Sequence, residues 1–142
     1  MRRFLQIAQV IVVALFTSMF WSCERDPGGL TYQEVFVLDR LDRMEKEIIE
    51  MIGDASCDGV ESCRFIAFGD KPCGGPWKYL IYSIANVDTT VLQQKVSAYN
   101  MLNAEANERF RWGSDCGFEV PPNLGCKEGK CSELRWDELA PN

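Results

Sequence analysis

The sequence predicts an α+β domain: two amphipathic helices packed on a small antiparallel sheet and stapled by disulfides. Three observations carry that expectation. Two long stretches repeat apolar residues at helical spacing, short β-branched and aromatic stretches lie between glycine and proline breaks, and six cysteines are spread through the body of the chain. The domain is expected over residues 31–136, with a tail at 137–142.

The first helix opens on Thr31-Tyr32-Gln33-Glu34, a capping box in which the threonine hydroxyl and the glutamate carboxylate satisfy orphan amides reciprocally. Val35, Leu38, Leu41, Met44, Ile48 and Ile52 follow as the expected buried stripe, and Gly53 offers the stop. The other face carries mixed charge, from Asp39 and Arg40 to Glu50, as a solvated helix face does. After a polar loop at 54–61, Arg64 to Phe68 reads as a short strand that stops at Gly69. Asp70-Lys71-Pro72-Cys73-Gly74-Gly75-Pro76 must be a loop, since two prolines and two glycines allow no regular element.

Trp77 to Ile84 reads as a second strand covered on both faces, or nearly so. Asp88 is the expected N-cap of a second helix that runs to about Trp112 and ends at Gly113. Its expected stripe is Leu92, Val96, Tyr99, Leu102 or Asn103, Ala106 and Phe110. Cys126 to Cys131 reads as a tight hairpin with Glu128-Gly129 at its tip, and Ser132 to Trp136 as the last strand.

The segment before the domain has the features of an export signal. Met1-Arg2-Arg3 is basic, Val10 to Phe16 is apolar, and Ser22 is a small residue at a suitable cleavage position. The apolar run is shorter than the ~18 residues a spanning helix needs, which favours a cleaved leader over residues 1–22. Ser22-Cys23 resembles the end of a bacterial lipobox, in which the cysteine is diacylated and becomes the new N-terminus. Phe20 fits that pattern and Trp21 departs from it, since a small residue usually stands there. The alternative is ordinary cleavage nearby, with Cys23 a free or paired thiol. Parity favours lipidation: the chain has seven cysteines, and assigning Cys23 to the membrane leaves six. Residues 24–30, with Pro27-Gly28-Gly29, read as a flexible tether.

Export puts Cys57, Cys63, Cys73, Cys116, Cys126 and Cys131 in an oxidising compartment, where disulfides are the expected state. Neither a redox-active Cys-x-x-Cys nor the close cysteine pairs of a zinc site is present. Spacing alone does not fix the connectivity. The pairing expected here is Cys73 with Cys116, which would pin the Gly-Gly-Pro loop to the end of the second helix.

Composition removes several functions. There is no histidine, which eliminates Ser-His and Cys-His nucleophile pairs, imidazole bases and His-ligated zinc. Fifteen basic and 21 acidic residues give a net charge of −6, and loss of Arg2 and Arg3 with the leader takes it to −8. So acidic a chain repels phosphate backbones, so nucleic acid is not an expected partner.

The block from Cys63 to Ser83, with Lys71-Pro72-Cys73-Gly74-Gly75-Pro76-Trp77 at its centre, has companions in Tyr99-Asn100, Ser114-Asp115-Cys116, Pro121-Pro122, Cys126 and Cys131. Together they are similar to a family of small secreted or lipid-anchored bacterial proteins, over about residues 31 to 134. The resemblance implies an exported domain with this cysteine framework. It brings no activity, substrate or catalytic residue.

The chemistry is correspondingly sparse. Asp70 and Asp115 are the acids that would form a catalytic pair if the two cysteine-bearing loops meet, as in glycosidases; acids beside glycine or serine are also ordinary turn residues. Ser83 and Ser114 have no histidine base. Gly74-Gly75 lacks the flanking pattern of a phosphate loop and is expected to supply positive φ instead. Trp77, Tyr79, Tyr82, Phe110, Trp112 and Trp136 offer either an aromatic platform or core filling.

The candidate binding loop is therefore Lys71, Gly74, Gly75 and Trp77, with Lys71 and Lys78 as a basic rim. The expected function is a non-enzymatic binding or interaction module on the cell envelope, at the periplasmic or outer-membrane face. It would be held by a lipid anchor, would take a protein or glycan partner, and would need no cofactor or metal. The alternatives are a carboxylate hydrolase of envelope polymers and a purely structural envelope protein.

Overall fold

The computed structural model describes residues 29–135, and its folded unit begins at Thr31. The expected leader, Cys23, the tether up to Gly28, Trp136 and the 137–142 tail lie outside the described residues. Within them the chain has two helices and two small antiparallel sheets of two strands each, an α+β arrangement.

Helix α1 spans Tyr32–Ile52 and begins on the expected capping box. The Glu34 amide donates to Thr31 Oγ1 at 3.2 Å, and the Thr31 amide donates to Glu34 Oε2 at 2.7 Å. The Thr31 amide first, and the Thr31 hydroxyl after it, hold the Glu34 carboxyl below its ordinary pKa by hydrogen bonding to its charged form. Gly53 ends the helix with φ 58°. The buried stripe is shorter than the spacing predicts. Leu41, Ile48 and Ile52 are buried, whereas Val35 and Leu38 are exposed, because at 3.6 residues per turn they lie round the helix from the face those three residues share.

Strands β1 (Cys63–Phe68) and β2 (Lys78–Ser83) pair antiparallel, with Phe65 opposite Ile81 and Phe68 opposite Lys78. Leu80, Tyr82 and Ser83 of β2 are buried and Tyr79 and Ile81 half-buried, close to the two-sided covering expected of it. Helix α2 spans Thr89–Phe110, capped by Asp88, whose carboxylate accepts from the Thr90 and Val91 amides at 2.9 and 3.1 Å. It ends earlier than Gly113. Arg111 takes the left-handed conformation (φ 55°) that closes the helix, a role glycine usually fills. The helices run antiparallel: Arg109 donates to Gln33 at one end, and Lys95 pairs with Glu47 at the other.

Strands β3 (Leu124–Lys127) and β4 (Lys130–Glu133) form the second hairpin, so the last strand starts at Lys130 and not at Ser132. Glu128 and Gly129 both have positive φ, 50° and 73°, as a two-residue turn matching strand twist requires. The spacing predicts one sheet, but two form. The β3–β4 hairpin packs beside β1 and β2 without joining their ladder, and its own outer edge is taken by residues 55–57, where Cys57 donates to Gly129 and Cys131 to Ala55.

Disulfides make the joins that backbone pairing does not. Cys63–Cys131 ties β1 to β4, Cys57–Cys126 ties the loop after α1 to β3, and Cys73–Cys116 ties the Gly-Gly loop to the segment after α2, the pairing expected. The core lies between: Leu41, Ile48 and Ile52 of α1, Phe68, Leu80 and Tyr82 of the first hairpin, and Leu92, Val96 and Tyr99 of α2. Phe68 stacks on Tyr99 with ring centroids 4.0 Å apart. So small a core leans on its cross-links.

Two outcomes are expected. A native disulfide typically contributes ~2–4 kcal/mol, so thiol reduction in native buffer should unfold the domain; an unchanged far-UV spectrum and melting temperature would refute this. Burial, reinforced by Glu45 and Asp42, pushes the Tyr99 phenol up to about 12. The unfolded chain ionises it near its ordinary value, so between those two values the unfolded state holds fewer protons and stability falls as pH rises. Tyr99→Phe should flatten that fall in alkaline denaturation curves, and an identical slope in the variant would show that Tyr99 is not its source.

Candidate functional site

The loop from Gly69 to Trp77 is closed at its base by the Trp77 amide, which donates to Phe68 O at 3.0 Å. Inside it, the Lys71 amide donates to Gly75 O and the Gly74 amide to Lys71 O, both at 2.8 Å. Gly69 is required twice over: its φ is 79°, and a Cβ there would lie 2.4 Å from Trp77 Cδ1. At the tip the situation reverses. Gly74 and Gly75 also have positive φ, but a Cβ on either would meet nothing within 4 Å. The tip is open space.

Three asparagines of α2 hold the loop. Asn100, Asn103 and Asn107 follow i, i+3, i+7 spacing and so share a helix face. Asn100 Oδ1 accepts from the Gly69 amide at 2.8 Å, while its Nδ2 donates to Ala67 O at 3.2 Å. Asn103 Oδ1 accepts from both the Asp70 amide (2.8 Å) and Trp77 Nε1 (3.1 Å), joining the two ends of the loop. Asn107 Nδ2 donates to Asp70 O at 2.5 Å. Asn103 and Asn107 are buried, so each bond satisfies a group that water does not reach.

A second clamp comes from the other side. Lys71 is only 4% exposed, and its ammonium donates to Gly117 O at 2.6 Å and lies 3.3 Å from Glu119 Oε1 and 5.4 Å from the Trp77 ring centroid. A buried ammonium needs such partners to offset its lost hydration. The expected basic rim therefore does not form. Lys71 is an internal pin joining the loop to residues 117–119, parallel to the Cys73–Cys116 bridge, and Lys78 is paired with Glu45 at 2.7 Å. Of the four expected loop residues, Gly74 and Gly75 are exposed and Trp77 is 37% exposed.

Beside the loop, a cleft of about 390 Å³ is lined by Asp70, Pro72, Asn107, Glu108, Arg111 and Trp112, among others. Arg111 reaches it because the left-handed turn ends α2 there. Asn107 Oδ1 is buried at this wall without a hydrogen-bond partner. The cleft brings Asp70 together with Glu108, not with Asp115. Asp115 Oδ1 accepts from the Gly117 amide at 3.0 Å in a turn, the ordinary use of such an acid beside serine.

The serines are spent locally: Ser83 Oγ accepts from the Ala85 amide and Ser114 Oγ from the Cys116 amide. Tyr82 is buried, while Tyr79, which meets Phe65 edge-on, and Phe110, which stacks on Trp112, are half-buried. Among the described residues, Cys57, Cys63 and Cys131 bring three sulfurs within 4.8 Å of one another, where the two disulfides that contain them meet.

The asparagine ladder and the Arg111 cleft were not expected from the sequence. The available signal was Asn-x-x-Asn-x-x-x-Asn running along the same stripe as Tyr99 and Ala106, polar residues where apolar ones belong. Compared with family models, curated proteins and solved structures, the chain matches none.

Asn103→Ala removes one acceptor from two donors, the Asp70 amide and the Trp77 indole. Stability is expected to fall by about 1–3 kcal/mol, and indole emission to shift to the red as Trp77 leaves its seat. Unchanged emission would show that Asn103 does not position the ring.

Proposed function

We propose that this protein is an exported, lipid-anchored component of a bacterial cell envelope that acts as a non-enzymatic binding module, presenting the 70–77 loop to a protein or glycan partner. One observation carries the reading. The loop is fixed at its base by three asparagines, a buried lysine and a disulfide, yet a side chain at Gly74 or Gly75 would project into open space at its tip, and Trp77 beside them is partly open. Ordering such a tip costs free energy, and a partner is spared that cost when the loop is already rigid. Aromatic rings next to accessible backbone are frequent anchors of interaction surfaces.

Export and anchoring rest on the basic-apolar leader and on Ser22-Cys23. The three disulfides are compatible with an oxidising compartment. Among the described residues, no helix is long and apolar enough to cross a membrane. Against the hydrolase alternative weigh the turn hydrogen bond that Asp115 accepts and its absence from the lining of the cleft that holds Asp70.

Two measurements test the proposal. Intact-mass analysis should find acyl chains on the mature protein, absent from Cys23→Ser; acylation that persists in that variant would refute the anchor. Crosslinking in envelope preparations should capture a discrete partner that Trp77→Ala loses. Equal capture by both proteins would remove the loop from the binding surface, and no capture by either would count against a binding module.

A further inference from the structure

The first turns of α1 carry an apolar cluster on the wrong side of the helix. Tyr32, Val35 and Phe36 stand at i, i+3 and i+4 and so form one patch, while the buried Leu41, Ile48 and Ile52 project from the opposite face at 3.6 residues per turn. All three are open: Tyr32 is 87% exposed, Phe36 56% and Val35 50%. Further along, the outer face returns to the charge expected of a solvated helix, with Asp39 paired to Arg43 and Asp42 to Lys46. The apolar patch is thus confined to the end of α1 nearest the chain's N-terminus.

Chain length says what lies next to that end. Eight peptide steps separate Cys23 from Thr31, which at full extension reach at most roughly 29 Å. A domain held by acyl chains on Cys23 therefore keeps the start of α1 within that reach of the lipid surface. Tyrosine is enriched at that surface, where its ring lies among apolar groups and its hydroxyl stays wet. We propose that Tyr32, Val35 and Phe36 form a membrane-contacting face that seats the anchored domain on the bilayer. This rests on the lipid-anchor reading above and goes beyond it: the anchor sets proximity, and the patch sets orientation.

The experiment is hydroxyl-radical footprinting of the full acylated protein in phosphatidylethanolamine–phosphatidylglycerol vesicles, compared with soluble Cys23→Ser protein. Labelling of Tyr32 and Phe36 is expected to fall several-fold in vesicles, while Met101 and Phe65, exposed elsewhere on the domain, label equally in both. Unchanged labelling of Tyr32 and Phe36 in protein that sediments with the vesicles would overturn the seat and leave the anchor intact. Wild-type protein that carries no acyl mass and does not sediment would overturn the anchor, and the seat with it. Protection in the soluble variant that grows with protein concentration would assign the patch to a second copy of the chain and overturn the lipid contact.

Discussion

Asn103 Oδ1 receives the Asp70 amide and the Trp77 indole together, and the candidate site depends on that one buried acceptor. It draws both ends of the 69–77 loop onto α2, which sets the loop's height above the helix and the tilt of the tryptophan. Asn100 and Asn107 extend the same grip one turn to either side. Gly69 is forced by it, because the indole held at Asn103 occupies the space a side chain at 69 would need. Lys71 is then turned away from solvent, and its charge is neutralised by residues 117–119. A loop rich in glycine and proline is thus held by hydrogen bonds and a disulfide, while its Gly74-Gly75 tip stays exposed.

The disulfides do for the body what the asparagines do for the loop. Two separate two-stranded hairpins have too little ladder to stand alone, since an isolated hairpin is marginal in water. Cys63–Cys131 joins one hairpin to the other through side chains, and Cys57–Cys126 adds the segment after α1. The helices then close over Phe68 and Tyr99, and burial in that stack, with Glu45 and Asp42 adding to it, raises the tyrosine's pKa. Core and loop clamp thus converge on α2, which supplies Leu92, Val96 and Tyr99 to the one and the three asparagines to the other.

The candidate site was only partly legible in the sequence. Gly74-Gly75 beside Trp77 marked the loop, and Cys73 with Cys116 marked what it is tied to, because those residue types have few other uses. Lys71 was misread as a rim because exposure is the ordinary condition of a lysine; its burial depends on Gly117 O, 46 residues away in sequence. The cleft depended on Arg111 adopting a left-handed turn, which no side-chain pattern announces. Asp115 beside Ser114 was legible as a turn residue, and it accepts a turn hydrogen bond from the Gly117 amide.

What the sequence determined by itself is local. Both helix starts are written in short-range side-chain-to-backbone hydrogen bonds, at Thr31–Glu34 and at Asp88, and the second hairpin in the turn chemistry of Glu128-Gly129. Composition likewise settled which catalytic chemistries have no histidine to run on. Tertiary structure decided everything that depends on who meets whom: three sulfur pairings out of many, two sheets instead of one, the exposure of Val35 and Leu38, and the conversion of a helix stripe of asparagines into a clamp. Local hydrogen bonds are fixed by neighbours a few residues apart, whereas burial and charge pairing are set by partners that only the folded chain brings within reach.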